Sequence, residues 1–187
     1  MALTRLKDRG INSILDLSGK TVTYGLTDAD ISSLSTGKVL QTVSQTYTTR
    51  YYTSSTSYVD SGFNVNITPT SSSSKILIIG TSVAGISDSG YSIHIRLGGT
   101  ASTNFYGTST SNNEQQNTVS KRLTSTYGSD SVSLSFLDNP ASTSQQTYTW
   151  RLKSSSSSVS VMLGGAWNND VNVGNGITTI TAIEIAG

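Results

Sequence analysis

The stretch Tyr91-Ser92-Ile93-His94-Ile95-Arg96-Leu97 decides the fold class, because every odd position carries an apolar or aromatic side chain and every even position a polar one. Successive side chains of a β-strand point to opposite faces, so this alternation is typical of a strand with one buried face. The same alternation recurs in residues 63–67, 132–136, 148–152 and 159–163. The pattern predicts an all-β, antiparallel protein.

Turn-forming residues separate these stretches, among them Asp88-Ser89-Gly90 and Asn139-Pro140. Residues 38–187 are interpreted as about nine to eleven strands, a number suited to a jelly-roll-like β-sandwich. The more continuous apolar run at residues 76–83 predicts a strand covered on both faces. Residues 177–185 are strongly β-branched and are expected to end the chain inside a sheet.

Serine and threonine make up about a third of the chain, with 35 Ser and 27 Thr among 187 residues. Such a composition can indicate disorder, but the net charge is only +1 and there are nine tyrosines. In the alternating stretches the hydroxyl side chains occupy the polar positions. They are therefore expected on the outward faces of strands.

The composition also excludes several classes of function. Without cysteine there is no disulfide scaffold, no Cys-ligated zinc site and no cysteine nucleophile. Twelve basic against eleven acidic residues, with no basic run, predict no nucleic-acid partner. No apolar stretch approaches the ~20 residues of a membrane helix, so no membrane partner is expected.

Titratable groups are too sparse for a recognisable catalytic site. His94 is the only histidine and lies on the polar face of its strand, where a solvated or interfacial role is favoured over catalysis. Asp88, Asp130 and Asp170 fall in loops without the spacing of a calcium loop, which favours plain turn formation. We expect no enzyme, no cofactor and no metal; a hydrolase is the weakest alternative.

Residues 1–37 are predicted to form an extended N-terminal arm, separate from the sandwich of residues 38–187. The arm is rich in apolar side chains but too short to enclose a core, so it needs a partner. That partner is either its own sandwich or another subunit or protein. The residues expected to make this contact are Leu3, Leu6, Ile11, Ile14, Leu15 and Leu17.

Trp167 stands in a loop context, after Gly164-Gly165-Ala166 and before Asn168-Asn169-Asp170. An indole there can stack on a sugar or fill a partner's groove. This predicts a glycan contact formed by Trp167, Asn168, Asn169 and Asp170, the alternative being aromatic side chains that only pack at an interface. Trp150 and Tyr148 alternate with Leu152 and are assigned to the core.

Several short stretches, taken in order, resemble a known family. They are residues 37–41 (GKVLQ), 54–60 (SSTSYVD), 67–69 (ITP) followed by serines and 75–78 (KILI), 133–141 (SLSFLDNPA), 148–151 (YTWR) and 180–187 (ITAIEIAG). This succession is similar to a β-sandwich domain of tailed-phage virion proteins, notably of phages that infect cyanobacteria and other marine bacteria. The resemblance covers residues 37–187.

The resemblance implies a trimeric β-sandwich knob behind a short anchoring segment, in a tail fibre or another virion structural protein, with no catalytic motif. Long fibres carry a shaft of repeats before the knob, whereas here only 37 residues precede it. A short tail fibre that contacts host glycans and a trimeric capsid decoration protein both remain open. A stand-alone carbohydrate-binding module is a third alternative.

The size and composition of the sandwich also favour a homotrimer. A sandwich of about 150 residues with few large apolar side chains gains modestly from its own core. Small hydroxyl side chains allow close approach of sheets, and a nearly neutral surface avoids repulsion between identical chains. The expected location is the exterior of a virion.

Overall fold

A computed structural model of the chain describes residues 37–100, 119–167 and 176–187. The predicted arm contacts Leu3, Leu6, Ile11, Ile14, Leu15 and Leu17 and the predicted glycan contacts Asn168, Asn169 and Asp170 lie outside the described residues.

The described residues form ten strands and no helix. They are β1 (Val39–Tyr47), β2 (Tyr51–Thr53), β3 (Val59–Ile67), β4 (Lys75–Ile86), β5 (Ser92–Gly99), β6 (Val119–Arg122), β7 (Ser129–Asp138), β8 (Gln146–Ser154), β9 (Val161–Leu163) and β10 (Thr178–Ile185). It follows that this part of the chain holds no helix long and apolar enough to cross a membrane.

The strands form two antiparallel sheets. In the first sheet β10 lies between β1 and β4, and β7 pairs with the other edge of β4. The second sheet has the order β3-β8-β5-β6. If the short strands β2 and β9 are left aside, the other eight strands alternate between the two sheets along the chain, except at the β5–β6 hairpin. This is the jelly-roll connection. The predicted jelly-roll-like sandwich is confirmed.

The short strands β2 and β9 extend one end of the first sheet. β10 pairs with residues 75–81 of β4, and β9 pairs with the next part of the same strand, at residues 84–86. β2 then pairs with β9. The β1–β2 segment and the segment that follows β9 are therefore neighbours at this end.

The core lies between the two sheets and contains the inward side chains of both. Trp150 and Tyr148 are fully buried, as predicted from their alternation with Leu152. Trp150 reaches across the interior to β4, where a Cβ at Gly80 would lie 2.6 Å from the indole Cζ2. Residue 80 must therefore lack a side chain for the indole to fit.

Two strand predictions have opposite outcomes. β10 lies inside the first sheet between β1 and β4, so the expectation for residues 177–185 is confirmed. The expectation that residues 76–83 are covered on both faces is wrong, since Ile79 on the outward side of β4 is 42% exposed. The reason is that the second sheet covers only one face of the first sheet.

A buried hydrogen bond joins the two sheets. The hydroxyl of Tyr148 in β8 donates a hydrogen bond of 2.8 Å to Oδ2 of Asp138 in β7, and both residues are buried. Burial raises the pKa of Asp138, although the bond from Tyr148 opposes this rise. Burial and the neighbouring carboxylate also raise the pKa of Tyr148. The phenol thus stays a donor to this carboxylate.

Glu184, fully buried near the end of β10, holds the β3–β4 loop against the first sheet. Its Oε2 accepts a hydrogen bond from Gln41 Nε2 at 2.6 Å, and its Oε1 accepts hydrogen bonds from both the backbone N–H and the hydroxyl of Thr70 at 2.7 Å. Burial alone would raise the pKa of Glu184, but hydrogen bonds from Gln41 and Thr70 outweigh it and lower the pKa to about 2.

Replacing Glu184 with Gln is expected to lower the free energy of unfolding at pH 7 by about 2–3 kcal/mol, because an amide N–H₂ would then face donors. The pKa of Glu184 is depressed in the folded state, so its contribution is complete above the ordinary value of 4.5 and disappears as the pH falls toward 2. Urea unfolding of both proteins between pH 7 and pH 2.5 should show the difference shrinking below pH 4.5. The exposed-loop variant D88N is the control, with a change within about 0.5 kcal/mol; a pH-independent difference for E184Q would contradict the assignment.

Substituting Gly80→Ala is expected to destabilise the fold by about 1–3 kcal/mol, because the added methyl group overlaps the Trp150 ring in a packed core. Trp150→Phe removes the overlapping ring atoms. The double variant G80A/W150F should therefore be more stable than the sum of the two single changes allows, as measured by denaturant unfolding of all four proteins. Strict additivity would show that the two sites are not in contact.

Candidate functional site

The segment before Trp167 is held firmly between strands. It follows β9, and the backbone N–H of Gly164 donates to the carbonyl of Val83 at 2.8 Å. Gly164 has φ 87°, and a Cβ there would lie 2.6 Å from the carbonyl oxygen of Thr49. Only glycine combines this backbone angle with so close an approach. Trp167 therefore projects from a segment whose backbone position is fixed.

Arg50 and Tyr52 reach the same place from the β1–β2 segment. Arg50 donates from Nη1 to the carbonyl of Ala166 at 3.0 Å, directly before Trp167. The rings of Tyr52 and Trp167 lie edge to face, with centroids 5.9 Å apart and planes at 86°. Tyr52 is 65% exposed. Two aromatic rings thus meet at nearly a right angle at the protein surface.

Met162 forms the floor between them. It pairs directly with Tyr52 across β9 and β2, and with Gly85 across β9 and β4. Its side chain is buried, yet it does not belong to the core cluster between the sheets. Residues directly opposite in an antiparallel pair share a face. We define the aromatic corner as Arg50, Tyr52, Met162 and Trp167, which line a concave cavity of about 410 Å³.

The rest of the outer face of the first sheet has a different character. Ile183, Leu77 and Leu137 lie in one row across β10, β4 and β7. Ile79 and Leu137 are 42% and 51% exposed. We define the neutral face as these side chains together with the uncharged outward residues around them: Thr42, Ser44, Thr46, Leu77, Ile79, Thr81, Val83, Ser131, Ser133, Ser135, Leu137, Thr179, Thr181 and Ile183.

The hydroxyl groups of the neutral face satisfy one another. Ser44 and Thr181 share a hydrogen bond of 2.8 Å between their side-chain oxygens, and Thr81 and Thr179 share another of 2.8 Å. A depression of about 340 Å³ lies beside these pairs and is lined in part by Val83 and the exposed Ile177. Paired hydroxyls cost less to remove from water than unpaired ones. The face is therefore suited to burial against another surface.

The outer face of the second sheet carries charge instead. Arg151 forms an ion pair with Asp60 at 2.6 Å, and the guanidinium of Arg96 lies 3.9 Å from the centre of the Tyr58 ring. His94 lies on this face but is only 6% exposed, with its Nδ1 3.0 Å from the hydroxyl of Ser120. The solvated role expected for His94 is therefore wrong, and the interfacial role stays a prediction. The two outer faces of the sandwich differ sharply in charge.

Asp88 lies in the turn between β4 and β5, as expected, whereas the expectation of a loop position for Asp130 is wrong, because this residue belongs to β7 and forms an ion pair with Lys121. Asp88 accepts a hydrogen bond from the backbone N–H of Ser89 at 2.7 Å. A hydrogen bond and the charge of Lys121 lower the pKa of Asp130. Within residues 37–100, 119–167 and 176–187, no group of three or more His, Cys, Asp or Glu side chains is placed to hold a metal ion.

Of the four residues of the aromatic corner, the glycan contact predicted from the sequence contained only Trp167. It singled out Trp167, and the structure places Tyr52 and Arg50 beside that ring. Arg50 and Met162 were missed, because nothing in the sequence indicates that β2 pairs with β9. The available signal was the pair Tyr51-Tyr52, in which alternation assigns one ring to each face of the strand.

Comparison with known proteins identifies no family. No family model matches the chain, and no curated protein matches it. Among solved structures it is similar to the Gx strain of infectious bursal disease virus, with 14% identity and a TM-score of 0.40 over 79% of this chain and 37% of that one. It is also similar to the Gt strain of that virus, with 12% identity and a TM-score of 0.39 over 80% of this chain and 39% of that one.

The VP2 subviral particle of the same virus gives 10% identity and a TM-score of 0.37, over 79% of this chain and 42% of that one. The chain thus spans less than half the length of each of these proteins. Such low TM-scores assign no function, and the jelly-roll assignment rests on strand order.

Replacing Arg50 with Met is expected to loosen Trp167, because the hydrogen bond to the carbonyl before it is lost. Since Trp150 is fully buried and is the only other tryptophan, acrylamide quenching reports chiefly on Trp167. The quenching constant should rise in R50M. The same change at the exposed Arg122 of β6 is the matched control and should leave it unaltered; equal quenching in all three proteins would show that Arg50 does not position Trp167.

Proposed function

We propose that this protein is a homotrimeric structural component of a tailed-phage virion, of the short tail-fibre type. Residues 1–37 anchor it to other virion proteins, and the jelly-roll sandwich projects from the particle exterior. It acts by binding and not by catalysis, without nucleic-acid or membrane partners. The observation that carries this proposal is the neutral face, which combines exposed aliphatic side chains with uncharged hydroxyl residues and borders the charged side chain of Lys75 at the start of β4.

The neutral face supports self-association on energetic grounds. Interface cores are depleted in charged residues and enriched in apolar ones. Identical copies carry the same charge at every position, so an uncharged face is one on which they meet without repulsion. Ile79 and Leu137 would gain burial there, at about 25 cal/mol per Å² of apolar area removed from water. Three such faces turned toward a common axis form the proposed trimer.

The sequence resemblance supports the particle assignment. The stretches from residue 37 onward are similar to those of virion β-sandwich knobs, and the jelly roll is a fold that viral capsid proteins and lectins use repeatedly. Anchoring through residues 1–37 also gives the apolar side chains of the arm a partner.

A trimeric capsid decoration protein is the second candidate. The same neutral face would serve there, with the arm clamping capsomers in place of a tail attachment site. A stand-alone carbohydrate-binding module is the third candidate, favoured by the aromatic corner, and would need neither the arm nor a trimer.

The neutral face is tested by solution mass. The full chain is expected to have three times the mass of one chain by light scattering coupled to size exclusion. Leu137→Lys, alone and with Ile79→Glu, places charge on the face and should give monomers with unchanged circular dichroism. Asn66→Lys, on the exposed face of the second sheet, is the control and should stay trimeric. A monomeric wild-type chain would sink the homotrimer.

The anchoring role is tested on particles. A chain that lacks residues 1–37 should lose attachment to virions of the parent phage, whereas the full chain should attach. Gold-labelled full chain, viewed by electron microscopy, distinguishes the two candidates: label at the tail supports the short fibre, and label over the capsid supports decoration. Attachment by the truncated chain, or glycan binding with no virion attachment at all, would favour the carbohydrate-binding module.

A further inference from the structure

We propose that the aromatic corner is a saccharide-binding site, in which a pyranose ring stacks its C–H face on Tyr52 and packs its edge against Trp167. The inference deepens the proposed function and rests on it for its biological setting, a host glycan met by an external virion protein. The binding chemistry itself comes from the corner residues.

The fold gives no reason for an exposed ring at position 52. Tyr52 is 65% exposed on a three-residue strand, and its register partner Met162 is already buried. Because Tyr52 is in contact with Trp167, the two rings form one contiguous apolar patch, and such patches are typical of binding sites. The edge-to-face contact with Trp167 holds the ring while leaving much of it open to a ligand.

The corner is preorganised, which lowers the entropic cost of binding. Trp167 follows a backbone segment tied to β4 by the bond from Gly164 to Val83 and to the β1–β2 segment by the bond from Arg50 to Ala166. Tyr52 belongs to a paired strand. Both rings are thus fixed to the first sheet and need no rearrangement to receive a flat ligand.

Size and lining favour a saccharide over a protein segment. The cavity of about 410 Å³ falls within the range of small-ligand pockets, ~300–1,000 Å³. Tyrosine and tryptophan offer an apolar face and a polar edge, which matches a sugar ring with its C–H face and hydroxyl rim. A peptide with an apolar face is longer than this cavity and would also contact the neighbouring row of Thr46, Thr179 and Thr81, which presents hydroxyl groups.

The corner stays accessible in the proposed trimer. Gly85, which pairs with Met162, lies eight positions along β4 from Leu77 in the aliphatic row of the neutral face. At ~3.3 Å per residue the two are roughly 26 Å apart along the strand. A saccharide can therefore bind at the corner while copies of the chain associate through this aliphatic row, provided that their contact ends before Val83, the member of the neutral face two positions from Gly85.

The test uses the full chain and a named panel: the methyl β-pyranosides of glucose, galactose and N-acetylglucosamine, and N-acetylneuraminic acid, each titrated to 20 mM. At least one is expected to change the Trp167 emission and to show saturation-transfer contacts to aromatic protons. Tyr52→Ala should weaken that binding about tenfold or more, a loss of the size expected for one stacked ring. Trp167→Ala, followed by saturation transfer, should abolish it.

Tyr127→Ala is the matched control, because Tyr127 is another exposed tyrosine, 48% exposed in a turn, and should bind as the wild type does. Binding by none of the panel, or equal binding by Y52A, W167A and the wild type, would overturn the inference. Loss of virion attachment in Y52A without saccharide binding would assign the corner to a protein contact and overturn it as well. Solution mass is measured on the same samples, so a trimer that binds no sugar refutes only this inference, and a monomer that binds sugar refutes only the trimer.

Discussion

The packing of two sheets through a single layer of alternating side chains is the constraint on which the rest of this structure depends. Each strand gives one face to the interior, where Trp150 of one sheet fills the space left open by Gly80 of the other. The side chains on the opposite face of each strand do not pack in the core. Its chemistry can serve association or binding without altering the fold.

Two buried carboxylates show how local donors decide the state of an acid in such a sandwich. Glu184 accepts three short hydrogen bonds, so its pKa falls despite burial. Asp138 has the phenol of Tyr148 and one backbone N–H as donors, and burial prevails, so its pKa rises. The first fastens a loop to a sheet, and the second joins the two sheets. These two acids are thus internal acceptors, whereas Asp60 and Asp130 form ion pairs at the surface.

The neutral face and the aromatic corner both lie on the outer side of the first sheet. The outer face of the first sheet is aliphatic and hydroxyl-rich along most of its length, and it ends in the aromatic corner where β2 and β9 extend it. Charge lies mainly on the other side of the molecule, with Arg96, Arg151 and Lys153 around Tyr58 and Asp60. This asymmetry makes one side suited to the proposed association and the other side suited to contact with water.

Alternating polarity in the sequence was enough to predict the strands that overlap residues 63–67, 91–97, 132–136, 148–152 and 159–163, together with their apolar faces. The reason is that a period of two in polarity corresponds to the two faces of a strand. Trp150, Tyr148 and the final strand could be assigned in this way. The pairing of β9 with β2, which brings Trp167 to Arg50 and Tyr52 across more than a hundred residues, was decided by the tertiary structure alone. The tertiary structure also decided the exposure of Ile79. Hydrophobicity indicates which contacts a side chain favours, but only the arrangement of the sheets determines which faces are covered.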